Sequence, residues 1–159
     1  MIEIIKNLFI GSDIDCQINR SNMKTIHACK TCHQSGVGYH GNLSSSHPNY
    51  LIYEKNNNVY LNMIDMEREL LARYTHPIMK VAMDFIKKYI DTLKVLIHCN
   101  QGQSRAPSIG LLYLARTGII NNDSYHEATT DFIKKYPGYS PGRGIALYLK
   151  NNWKELLAL

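Results

Sequence analysis

Between Pro77 and Ile90 apolar side chains return every three or four residues: Ile78, Val81, Ala82, Phe85, Ile86, Tyr89 and Ile90. That spacing lays one stripe along a helix, and Pro77 suits its first turn. The segment "APSIGLLYLART" is apolar on almost every side, which predicts a largely buried helix closed by Gly118. Ser124 and Glu127 are spaced as a capping box ahead of "YHEATTDFIKKY". A last helix from about Ile145 puts Ile145, Leu149, Trp153, Leu156 and Leu157 on one side.

Shorter apolar runs predict strands. "LFIGSDIDC" reads as a strand, a turn at Gly11 and a helix capped near Ser12 or Asp13. "KTIHAC" and "KVLIH" are strand candidates, and "YLIYE" and "VYLNMI" flank the turn residues Asn56, Asn57 and Asn58. The stretch from Thr31 to Asn49, rich in Gly, Ser, His and Asn, reads as a long loop. Strands alternate with helices, so the class is α/β.

Composition narrows this further. A chain of 159 residues, 45% hydrophobic and 19% charged, suffices for one folded domain spanning 1–159. The net charge of +5 favours an anionic ligand, yet Lys and Arg are scattered without the dense block of a nucleic-acid arm. No nucleic-acid partner is therefore expected. No run approaches the roughly 18 apolar residues of a membrane span, and "MIEIIKNLFIGSD" lacks the features of a signal peptide. The expectation is a cytoplasmic monomer, away from membranes, whose four cysteines are not disulfide staples.

The segment "VLIHCNQGQSRAPS" concentrates the candidate chemistry. A buried strand stops at Cys99 and a helix restarts near Arg105, with Asn100, Gln101, Gly102, Gln103 and Ser104 between. Ligands of open α/β sheets bind beyond the carboxyl ends of strands, where Cys99 falls. Backbone N–H groups of a tight loop and a helix N-terminus cradle an anion. Gly102 lets the chain curl, and the Arg105 fork matches two phosphate oxygens. The same field favours a thiolate at Cys99. One loop supplies both a nucleophile and an oxyanion holder.

"HCNQGQSR" matches the His-Cys-x5-Arg signature of cysteine-dependent protein phosphatases, and "SRAPS" after "VLIHC" resembles their dual-specificity subgroup. "LFIGS" and "NMID" resemble that subgroup's early segment and the end of its acid-bearing strand. The resemblance implies a single-domain protein-tyrosine-phosphatase-like fold, with a central mixed, mostly parallel sheet flanked by helices. It also implies hydrolysis of phosphotyrosine and phosphoserine or phosphothreonine in proteins or peptides through a phosphocysteine, with no cofactor. Cys99 would be the nucleophile, Arg105 and loop residues 100–104 the phosphate holders, and His98 a loop-orienting residue.

For the general acid the resemblance points to an Asp on a separate loop. Asp65 terminates "VYLNMI", and if that strand runs parallel to the one ending at Cys99, both residues emerge at one sheet edge. Glu67 and Glu69 follow but are less tightly placed, and a mere capping role for Asp65 is the bland alternative. One departure stands out: the subgroup usually has Ser or Thr after the Arg, and this chain has Ala106. A phosphate-binding module without turnover, or a phosphatase for phosphoinositides or RNA 5′-phosphates, are the alternatives. The loop interior lacks the lysines that inositide members often carry.

A second cluster, "HACKTCH", contains Cys29-x-x-Cys32-His33, with His27 and His40 near. The pattern is formally a c-type haem attachment site, but that chemistry needs export. Cys29, Cys32 and two histidines, His33 and His40 among them, could furnish four zinc ligands. Against this, His33 directly abuts Cys32 and no second well-spaced pair follows. The working expectation is therefore no metal, with Cys29 a buried strand residue and the others loop residues at the site rim. Cys16 reads as a small apolar residue on the first helix, and Arg143 in "YPGYSPGRG" as a solvated loop arginine.

Overall fold

The computed structural model describes residues 1–18 and 23–159. Six strands form one mixed sheet: β1 (Ile2–Ile5), β2 (Leu8–Gly11), β3 (Met23–His27), β4 (Ile52–Lys55), β5 (Asn58–Leu61) and β6 (Lys94–His98). Their order is β1-β2-β6-β3-β5-β4. The inner four run parallel, and β1 and β4 close the edges as antiparallel hairpins. Val95, Leu96 and Ile97 are fully or almost fully buried, as a central parallel strand covered on both faces requires.

The described residues also form the helices α1 (Asp13–Gln17), α2 (Lys30–Val37), α3 (Ala72–Tyr89), α4 (Arg105–Arg116), α5 (Tyr125–Lys135), α6 (Arg143–Asn151) and α7 (Trp153–Leu157). Helix α4 is buried from Arg105 to Ala115 and Gly118 adopts φ +73° just beyond its end. The Ser124 hydroxyl accepts the Glu127 N–H at 3.1 Å to open α5. No helix among the described residues is long and apolar enough to cross a membrane.

Three sequence expectations need correction. The first is the long loop from Thr31, whose first part is helix α2. Its polar composition hides a tertiary support: His33 is buried, its ring contacting the Tyr39 hydroxyl at 2.6 Å and donating to the Asn49 carbonyl at 2.8 Å. Gly38 then ends the helix at φ +94°. Second, α3 starts at Ala72 rather than at Pro77, so Pro77 lies inside it. The residue's missing N–H costs a single helical bond near the N-terminus, and packing of Ile78, Met79, Ala82 and Met83 offsets it. Third, the final helix is two, interrupted at Asn152.

Candidate active site

Cys99 follows β6 directly and is 2% exposed, at the floor of a cavity of about 450 Å³. Asp65, Asn100, Gln101, Gln103, Ser104, Arg105 and the segment Ser140–Gly142 form the rest of its lining. Register explains why these meet. Strands β5 and β6 both run parallel to β3, so the chain leaves both at the same sheet edge. The strand ahead of Asp65 is shorter than its alternation suggests: β5 ends at Leu61, and Asp65 stands exposed on the loop beyond.

The loop between Cys99 and Arg105 is tied down from several sides. Gly102 has φ +70°, and a Cβ there would sit 2.9 Å from the Gly11 carbonyl oxygen, so two conditions demand glycine. The Tyr136 hydroxyl donates to the Gly102 carbonyl at 2.5 Å. Burial pushes the Tyr136 phenol above its usual range, and the Cys99 sulfur nearby adds to the shift, which keeps this donor protonated. The Ser140 N–H donates to the Gln103 carbonyl at 2.8 Å and the Asp13 N–H to the Asn100 carbonyl at 3.2 Å. With these carbonyls bound to neighbouring segments, the loop is held by its oxygens.

Arg105 opens α4 and is 9% exposed. One terminal nitrogen donates to the Met63 carbonyl at 3.1 Å and the other to the Asn100 side-chain oxygen at 2.7 Å. Both partners are neutral. The buried Nε has no hydrogen-bond partner among the described residues. Three of the five guanidinium N–H groups are thus left for a ligand. A buried cation without a counter-charge is costly, and an anion in the cavity would relieve that cost.

Ser104 links the loop to the candidate acid. Its hydroxyl donates to Asp65 Oδ1 at 3.1 Å and accepts the Gly142 N–H at 2.8 Å. Gly142 itself leaves room for the carboxylate, because a Cβ there would collide with Asp65 Oδ1. Glu67 and Glu69 are exposed and do not line the cavity, and Arg143 donates to the Glu67 carbonyl at 3.2 Å. His98, completely buried, sits between the Cys99 carbonyl and other groups behind the loop.

Sequence reasoning put Asn100 in the phosphate loop but missed its hold on Arg105, and it missed that Ser140–Gly142 line the cavity. No local pattern marks them. The Asn100 side chain holds Arg105 and also donates to Asp13 at 3.0 Å, a bond that depends on α1 standing beside β6.

No family model and no curated protein matches the sequence. Solved structures do match the fold. A leucine-rich repeat and phosphatase domain containing protein from Entamoeba histolytica superposes with a TM-score of 0.64 at 20% identity, over 98% of this chain and 91% of that one. Human DUSP28 gives 0.62 at 17% identity, with 99% of both chains covered. This is the dual-specificity phosphatase fold. The human tyrosine phosphatase-like serine/threonine/tyrosine-interacting protein also shares it, with a TM-score of 0.64 at 16% identity over 99% of this chain and 97% of that one. Within the fold, Cys99 and Arg105 bracket the loop that follows the central strand, and Asp65 comes from the loop after β5.

Proposed function

We propose that this chain is a cysteine-dependent phosphatase that hydrolyses phosphomonoesters, phosphotyrosine and phosphoserine or phosphothreonine of cytoplasmic proteins among them. The observation that carries the reading is Arg105: a buried guanidinium, paired only with neutral oxygens and with Nε unpartnered, beside Cys99 in one cavity. A dianionic phosphoryl group supplies the missing charge and the acceptors.

The chemistry runs in two steps. The Cys99 sulfur attacks phosphorus, an S–P bond forms, and the P–O bond to the leaving group breaks while Asp65 gives its proton to the departing oxygen. Water then attacks phosphorus, Asp65 takes its proton, and the S–P bond breaks with its electrons returning to sulfur. Inorganic phosphate leaves. Arg105 and the loop N–H groups hold the non-bridging oxygens through both steps. The Ser104 hydroxyl and the Gly142 cleft aim the Asp65 carboxyl.

Asp65→Asn tests the acid. Its rate is expected to fall by about 10²–10⁴ on phenyl phosphate, an ester with a poor leaving group, and far less on an activated nitrophenyl ester. Equal losses on both would remove Asp65 from the proton transfer.

Ala106 is completely buried at the position where the related signature carries a hydroxyl. The neighbouring hydroxyls do not replace it: Ser104 is bound to Asp65 and Gly142, and Ser108 to the Tyr139 hydroxyl at 3.0 Å. Breakdown of the phosphocysteine should accordingly be slow. Stopped-flow traces are expected to show a burst followed by a slower steady phase, and Ala106→Ser should raise the steady rate and shrink the burst. An unchanged trace would contradict this assignment. Ala106 also favours a second reading, in which the site captures phosphorylated partners without turnover; a stable phosphopeptide complex and no released phosphate would establish it.

A further inference from the structure

Four side chains that the phosphoryl chemistry does not use converge behind the Cys99 loop. They are Cys16 of α1, His27 of β3, Cys32 of α2 and His98 of β6, and one ligand atom from each lies within 4.8 Å of every other. The two histidines are register partners at the carboxyl ends of adjacent parallel strands. Residues α1 and α2 contribute come from the helices that directly follow β2 and β3. The set weighed from sequence spacing, Cys29, Cys32, His33 and His40, is not the one that converges here. His33 spends both ring nitrogens on Tyr39 and Asn49, and His40 is exposed.

The hydrogen bonds around the histidines fix which nitrogens face each other. His27 Nε2 lies 2.8 Å from the Asn58 side-chain oxygen, to which it donates, leaving its Nδ1 as a lone pair. His98 Nδ1 faces only acceptors, the Cys99 carbonyl at 3.4 Å and Asp13 Oδ1 at 3.7 Å, so a neutral ring carries its proton there and leaves Nε2 as the lone pair. Those two lone-pair nitrogens stand 2.6 Å apart. Two acceptors at that distance repel unless a cation lies between them. Outer-sphere acceptors that fix the tautomer in this way are what metal-binding histidines recruit.

The sulfurs complete the set. Cys16 Sγ is 3.6 Å from His27 Nδ1 and Cys32 Sγ is 3.9 Å from His98 Nε2. With Zn–S near 2.3 Å and Zn–N near 2.0–2.1 Å, a tetrahedral site has S···N separations of about 3.6 Å and an N···N separation of about 3.3 Å. The Cys16–His27 separation of 3.6 Å matches this spacing and the Cys32–His98 separation of 3.9 Å is slightly wider, while the nitrogens, 2.6 Å apart, need to part by roughly 0.7 Å to admit the ion. A shared proton satisfies the two nitrogens alone; a divalent ion satisfies all four groups and, with two thiolates, leaves no net charge buried.

We propose that Cys16, His27, Cys32 and His98 bind one zinc ion in a closed, structural site that straps α1, α2, β3 and β6 together beneath the candidate catalytic loop. Four protein ligands leave no open position, so the ion's part is to hold shape rather than to activate water. The two cysteines are half-buried while the histidines are buried, which gives the ion an approach from the α1 and α2 side. Because His98 precedes Cys99, the strap fixes the start of the loop. The assignment does not depend on turnover at Cys99.

Metal analysis of protein made without a histidine tag, under reducing conditions with zinc present, tests it. One zinc per chain is expected in the wild type and in Cys99→Ser and Cys29→Ser. Cys16→Ser and Cys32→Ser should each lower zinc affinity about tenfold or more. Should those variants fold poorly, cobalt substitution of the wild type gives an independent reading: intense visible d–d bands of a tetrahedral ion, with thiolate charge transfer. Zinc well below one per chain, zinc lost only in Cys99→Ser, or a cobalt spectrum without those bands would each overturn the proposal in favour of a shared proton only or of metal at the other sulfur.

Discussion

Cys99→Ser is expected to abolish hydrolysis, lowering the rate by at least about a thousandfold on any phosphomonoester, while phosphate is still bound. The serine oxygen keeps the shape of the loop but is a far weaker nucleophile at neutral pH, and no second sulfur lines the cavity. The loop's geometry rests on the Tyr136, Ser140 and Asp13 bonds and on Gly102, none of which involves the sulfur. Binding therefore survives loss of the reaction. Release of phosphate from an aryl phosphate gives the rate, and protection against thermal unfolding by inorganic phosphate gives the binding. A variant with near wild-type turnover would remove Cys99 from the chemistry.

Arg105→Lys is expected to lose about 10²–10³ in kcat/KM although the charge is kept. A lysine ammonium cannot donate at once to the Met63 carbonyl, to Asn100 and to two phosphate oxygens from one plane. The Met63 carbonyl would lose a buried donor, and the acid-bearing loop that follows it would lose its tie to α4. Both binding and turnover should suffer, so the inorganic-phosphate protection that Cys99→Ser retains should weaken here. Retention of full activity would mean that charge alone, and not the fork, holds the phosphoryl group.

Much of this arrangement is legible in the sequence because it is local. "VLIHC" to "APSIGLL" carries its own strand, turn and helix, and the turn's length fixes Cys99 and Arg105 on one loop. Asp65 reaches the cavity because a parallel neighbour delivers its end to the same edge, though the strand stops at Leu61, three residues short of the Ile64 that its alternation implies. Helix α2 escaped because His, Gly and Ser are poor helix formers, and the bonds of His33 that support it reach outside the helix. Cys16 was the largest loss. On a helical wheel it is one small residue; only the pairing of β3 with β6, and the placement of α1 and α2 above them, brings it to His27. Spacing along the chain draws attention to Cys29 and His33, whereas the sheet brings Cys16 and His98 together with His27 and Cys32.

Sulfur, guanidinium and backbone amides are expected to close around one phosphoryl group. Rapid acid quench of the enzyme during turnover, followed by mass analysis of its peptides, tests it most directly. A single phosphoryl adduct on the peptide containing Cys99, accumulating further in Asp65→Asn and vanishing in Cys99→Ser, is the predicted outcome. Steady turnover with no adduct on that peptide, or an adduct that persists in Cys99→Ser, would contradict it.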